Sequence, residues 1–195
     1  MLFGSFVTGS SAQAAPLGRP AAWRHHDLIV SLRDLPQRYS CDDLWYKFRD
    51  ILLALGTRPD IKILVYQCGP QARELARSPQ VHLQFSTPEI LTGAQARWAE
   101  IRAAPETIHL GPGQPASLRD SDCELMRQIK DELLPEMTDR IVSVDLACTA
   151  RRRSPFNVTV QAETPVATNP RVAARDSAFS GPVGPWFPVE TRHPL

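Results

Sequence analysis

The sequence predicts an α+β domain in which two βαββ units contribute to one antiparallel sheet and lay two helices on one of its faces. Three observations predict it. The four cysteines form two widely spaced pairs, Cys41 with Cys68 and Cys123 with Cys148. An amphipathic helical pattern opens at the first cysteine of each pair, and an alternating strand pattern closes beside the second.

The first unit begins with a strand over Asp27–Leu32 (DLIVSL) and a proline-containing loop. Ser40 then offers a side-chain oxygen to the free N–H groups of a first helical turn, and Asp43, three residues on, completes a capping-box pattern. Asp42 and Asp43 also place negative charge at the positive end of the helix dipole. Leu44, Phe48, Ile51, Leu52 and Leu55 recur at helical spacing and define one buried stripe, until Gly56 and Pro59 stop the helix. Ile61 to Gln67 alternates as a strand. A helix of about 14 residues rises ~21 Å and a strand of about seven ~23 Å, so a strand running back under its helix returns Cys68 to Cys41. Side-chain parity puts Leu64 and Tyr66 on the face of Cys68, which is expected to be the helix-facing one. SPQVHLQFSTP (residues 78–88) supplies a third strand.

The second unit follows the same order. ARWAEIRA, with Trp98 and Ile101, either extends the next strand or forms a short helix; ETIHL (residues 106–110) is strand. Ser121 repeats the cap position of Ser40, with Asp122 and Glu124 as first-turn acids, and Leu125, Ile129 and Leu133 form the apolar stripe up to Pro135. Ile141 to Ala147 is the strand that ends at Cys148, with Val142, Val144 and Leu146 on the cysteine's face. SPFNVTVQAETP (residues 154–165) matches the Ser-Pro strand of the first unit. The chain therefore reads as one duplicated domain over residues 24–166, with copies at about 24–92 and 93–166; the alternative is two unrelated segments that look alike. The topology is similar to ferredoxin-like αβ-plaits, an analogy of fold that carries no activity.

Outside that domain lie two segments without strand or helix periodicity. Residues 1–23 read as a disordered arm or a signal peptide, because a short apolar stretch is followed by Ala12-Gln13-Ala14, the small-residue pattern of a signal-peptidase site. Residues 167–195 are rich in proline, glycine and alanine and read as a disordered tail, in which Trp186 and Phe187 are aromatic candidates for a partner's groove. With a formal net charge of +1 there is no dedicated nucleic-acid surface, and no run approaches the ~20 apolar residues of a membrane span.

Chemistry is sparse. Each expected disulfide closes a loop of roughly 25 to 30 residues, worth about 3 kcal/mol, and places the protein in an oxidising compartment, periplasmic or secreted. The cysteines lack the Cys-x-x-Cys spacing of redox enzymes and of zinc sites. His25 and His26 read as solvated neighbours, while His82 and His109 lie in separate strands. Gly111-Pro112-Gly113 is a turn without the lysine of a phosphate loop. Asp131, Glu132 and Glu136 belong to a solvated helix face. Arg151, Arg152 and Arg153 concentrate positive charge in the connection before the last strand, where an anionic partner can dock. No catalytic residue, metal or cofactor is expected. The favoured function is a non-enzymatic binding or structural component of the bacterial envelope, with another envelope protein or an anionic surface polymer as partner; a small secreted hydrolase or thiol-dependent enzyme is the alternative.

Overall fold

The computed structural model describes residues 18–35, 39–67, 78–137, 140–148 and 156–166. Strand β1 spans Arg19–Ser31 and is followed by helix α1 (Cys41–Ala54), β2 (Lys62–Tyr66) and β3 (Gln80–Ile90). A 3-10 turn at Gly93–Trp98 leads into β4 (Ile101–Leu110), so the two readings of this connection occur in succession. Helix α2 (Cys123–Glu132), the short α3 (Leu134–Met137), β5 (Arg140–Asp145) and β6 (Asn157–Pro165) follow among the described residues.

All pairings are antiparallel and join six strands in the order β2-β3-β1-β4-β6-β5, which with the helices makes an α+β fold. The first strand starts well before Asp27 because it has two partners. Ala21 to Ser31 pair with β3, whereas Arg19 to Ala21 pair with Ile101 to Ala103 of β4. Ala21 and Ala103 are fully buried at this short joint, where small side chains let the two strands meet. Residues 19–23, expected in the N-terminal arm, thus belong to the sheet.

Both helices bury the stripes the sequence predicts, and they do so in one shared core. Leu44, Phe48, Ile51 and Leu52 of α1, and Leu125 and Ile129 of α2, are all at 0% exposure, packed with Leu83 and Phe85 of β3 and Val158 and Val160 of β6. Ser40 caps α1 through its hydroxyl, which accepts from Asp43 N–H at 3.1 Å. Gly56, with φ of +77°, turns the chain out of α1 and lies so close to β6 that a Cβ there would meet Thr164 Cγ2 at 2.9 Å. The part of β1 beyond β4 is sealed by α2: Gln128 accepts from Arg33 N–H at 2.8 Å and donates to Arg33 C=O at 2.6 Å, and Glu132 accepts from Ser31 N–H at 3.0 Å. Glu132 lies on an exposed helix face, as expected, and from there also acts as a tether.

The expected orientation of two strands is reversed or lost. Leu64 and Tyr66 are 54% and 44% exposed, whereas Ile63 is 8% exposed and faces the helices in one row with Leu83 and Leu28. Parity counted back from Cys68 fails because Gln67 has φ of +65°, a left-handed conformation that interrupts the alternation after Tyr66. In β5 all six residues are exposed, including Val142 at 48% and Val144 at 45%. It is the outermost strand and carries a bulge between Ile141 and Ser143, so a simple two-residue period does not apply. Leu146 and Cys148, beyond its end, do pack against the core.

Candidate functional site

Strand alternation separates the adjacent histidines that the sequence reads as two solvated rings. His25 points out, while His26 is 9% exposed on the core side of β1. Its ring stacks on Phe85, the residue opposite it on β3, at 5.0 Å between centroids, and its Nε2 is 2.8 Å from Thr87 Oγ1. Thr87 lies one step along the same face, so the strand pairing itself builds this contact. His26 forms part of the wall of an open cleft of about 680 Å³ between β1, the end of β3, α3 and the β4–β6 pair. Arg24, Glu89, Glu136, Arg140 and Glu163 line it as well.

The electrostatics of the cleft are uneven. Arg19 at its rim is committed to Glu163, whose second oxygen, Oε2, is buried without a hydrogen-bond partner among the described residues. Arg24 and Arg140 have neither an ion pair nor a side-chain hydrogen bond among those residues. Burial, and then the positive charge of Arg24, hold the His26 pKa below the ordinary histidine value; His25 acts in the same direction, and Glu136 and Glu89 oppose it. A neutral ring is thus preferred in the fold, and the unfolded chain takes up the proton first as pH falls. The stability this contributes is fully present above the unfolded value of about 6.5 and declines as pH drops from there through the lower folded value. His26→Gln, which keeps a group able to bond Thr87, is expected to show a smaller drop in urea midpoint between about pH 7 and about pH 5 than the wild type. Equal drops in the two proteins would place the acid sensitivity elsewhere.

A second polar cluster is sealed from solvent. Lys47, in the middle of α1, and Asp122, just before α2, are both at 0% side-chain exposure, with Nζ 2.8 Å from Oδ2. Lys47 also donates to Ser117 C=O at 2.6 Å; Tyr39 OH donates to Asp122 Oδ1 at 2.9 Å, and Arg119 N–H to Oδ2 at 2.7 Å. Burial and the adjacent carboxylate push the Tyr39 hydroxyl well above its usual pKa, so it stays a donor. Asp122 is therefore not a solvated cap acid. It is the N-cap residue of α2 but its side chain caps no N–H of that helix; Oδ2 instead accepts from Arg119 N–H in the capping box of the 3-10 turn Asp120–Asp122, and Ser121 does not take the α2 cap position either. Such a network fixes how α1 meets α2 and has no access for a substrate.

On the opposite sheet face Asp27 accepts from Gln84 at 2.9 Å and lies 2.5 Å from His82 Nε2, contacts that hold its carboxyl below the usual range. No hydroxyl or thiol nucleophile joins this pair among the described residues, and it behaves as a cross-strand contact on neighbouring positions. His109 bonds Thr159 Oγ1 at 3.0 Å across β4 and β6.

Cys123, at the start of α2, and Cys148, after β5, form a disulfide with a Cα–Cα distance of 5.5 Å. Cys41 opens α1 and is not a free thiol; its expected partner Cys68 lies outside the described residues. Arg151, Arg152, Arg153, Trp186 and Phe187 also lie outside them. Among the described residues no group of three metal-ligating side chains occurs, and no helix is long and apolar enough to cross a membrane. The sequence reading missed the cleft, since its residues come from six elements and none forms a local motif.

Fold and clefts together define a disulfide-bonded α+β domain with a polar groove beside its central strand. No family model, curated protein or solved structure matches this chain.

Proposed function

We propose that the chain is an exported, non-enzymatic binding protein of the bacterial envelope, periplasmic or secreted, and that the cleft beside β1 takes an acidic sugar unit of an anionic surface polymer. Arg24 carries this reading: a guanidinium without an ion-pair partner among the described residues lines a cleft next to a ring that favours neutrality. A carboxylate or phosphate pairs well with such a fork. The Cys123–Cys148 disulfide supports an oxidising compartment, and the small-residue pattern at Ala12–Ala14 supports export. In this reading the signal peptide or arm expected over residues 1–23 ends before Arg19, where β1 starts. The thiol-enzyme alternative loses Cys123 as a nucleophile, and the hydrolase alternative rests only on the Asp27–His82 pair.

Titration calorimetry with a short oligouronate and with a neutral oligosaccharide of the same length tests the cleft. The acidic ligand is expected to bind and the neutral one to bind far more weakly. Arg24→Ala is expected to weaken the acidic ligand by roughly 10-fold or more, the value of one charge-assisted hydrogen bond at the lower end of its range. Equal binding of both sugars, or an Arg24→Ala protein that binds normally, would count against the reading. Fractionation of a tagged full-length chain addresses export, and a wholly cytoplasmic signal overturns it.

We also infer that the domain is a duplication of a βαββ unit resembling half of a ferredoxin-like plait. Residues 81–88 (VHLQFSTP) and 158–165 (VTVQAETP) align without gaps. In the sheet their equivalent members Leu83 and Val160 are flanked by equivalent rows, Leu28–Leu83–Ile63 and Ile108–Val160–Ile141. Separately produced halves, residues 18–92 and 93–166, are expected to reassociate on mixing; halves that never do so speak against two matched units.

A further inference from the structure

We infer that β5 is a dimerisation edge, on which a second copy of this chain adds its own β5 in antiparallel fashion to make one continuous twelve-stranded sheet across a two-fold axis. Strand β5 is terminal in the sheet order and pairs only with β6 among the described residues, whereas β2, at the other end, is not free at Val65 and Tyr66. All six β5 residues are exposed, and Ile141, Val142 and Val144 present 37%, 48% and 45% of their surface. An outward row of backbone donors and acceptors with aliphatic side chains is a template for another strand.

The sequence Arg140-Ile-Val-Ser-Val-Asp145 is complementary to itself when reversed. Antiparallel pairing about the midpoint between Val142 and Ser143 sets Arg140 of each copy opposite Asp145 of the other, and Ile141 opposite Val144. Neither Arg140 nor Asp145 has an ion-pair partner among the described residues. The bulge makes the faces agree. Ile141 is opposite Val160 and Val144 is opposite Val158, two residues on the core side of β6, so the bulge brings Ile141 and Val144 to one face despite their three-residue separation. Arg140 is opposite Gln161 and Asp145 opposite Asn157, again a common face, the other one. A two-fold axis perpendicular to the sheet keeps like faces together, so the aliphatic pairs meet on one side and the two ion pairs on the other. This is the isologous geometry of a cyclic dimer.

In the dimer Arg140 serves the strand pairing and Arg24 alone is left to the cleft, so the two single substitutions that test the edge are placed at residues that do not line the cleft. Sedimentation equilibrium of the full chain across micromolar to sub-millimolar concentrations is expected to show a reversible monomer–dimer equilibrium. Asp145→Arg sets arginine against arginine at both ends and is expected to raise the dimer dissociation constant about 10-fold or more, as is Val144→Lys. Both sites are exposed, and circular dichroism of each variant checks that the fold is kept. The exchange Arg140→Asp with Asp145→Arg restores opposite charges and is expected to restore dimerisation. A wild type that stays monomeric throughout, or a dimer indifferent to both single substitutions, overturns the inference. So does a photo-crosslinking side chain at position 143 that joins only to its own chain.

Discussion

Replacing Lys47 with methionine is expected to destabilise the fold by about 3–5 kcal/mol, although methionine keeps most of the aliphatic stem and continues a helix well. The loss comes from what remains. Asp122 is fully buried, and without Lys47 its carboxylate retains the Tyr39 hydroxyl and the Arg119 N–H but no positive charge in van der Waals reach. Ser117 C=O loses a donor at the same time. Arg119 lies nearby, but its guanidinium is largely exposed and pairs loosely with Asp43, so it does not replace the ammonium. At the usual entropy of unfolding for a domain of this size the change lowers Tm by roughly 6–20 °C. Asp122→Asn, the partner substitution, strands the lysine and is expected to be costly in the same way. The double variant is expected to cost clearly less than the two singles added, because each removes the burden the other leaves. Urea unfolding of the four proteins gives the cycle directly; a Lys47→Met loss below about 1 kcal/mol would show that water reaches the pair.

The contrast between what was visible in the chain and what was not follows the range of the interactions. Ser40 bonds Asp43 N–H three residues away, and the stripes of α1 and α2 repeat at helical spacing, so local pattern suffices for both. The Cys123–Cys148 bridge was visible because helix and strand lengths match within one hairpin. Lys47 sits in a helix whose other charges are solvated, and the acid that draws it inward is 75 residues further along. His26 is buried by the phase of β1, which is set by its partner Phe85 on β3 and not by its own neighbours Arg24 and His25. Residues 19–23 lack an alternating apolar series, and only their pairing, Arg19 to Ala21 with β4 and Ala21 to Trp23 with the end of β3, makes them strand. Strand phase is a property of the pair, so a single irregular residue such as Gln67, or a bulge such as that in β5, reverses a conclusion drawn from counting.

Removing the Cys123–Cys148 bridge with Cys123→Ala and Cys148→Ala is expected to cost about 3 kcal/mol by restoring freedom to the unfolded chain, and its structural effect is expected to be local. Strand β5 has no buried residue of its own, and β6 is its only strand partner among the described residues. Three residues past its end the disulfide fixes the chain to the buried start of α2, where Cys123 is 5% exposed. Without that anchor the outermost strand is held by one ladder alone, while β6 remains inserted between β5 and β4 with Val158 and Val160 in the core. Hydrogen exchange is therefore expected to accelerate most in residues 140–148, with β3 and β1 close to their original protection once global stability is accounted for. A uniform acceleration over all strands would show that the bridge acts only on the unfolded chain. The same variant bears on the dimer edge: a β5 that frays presents a poorer template, so self-association weakens together with its protection, and a dimer that persists while β5 exchanges freely must be built on some other surface.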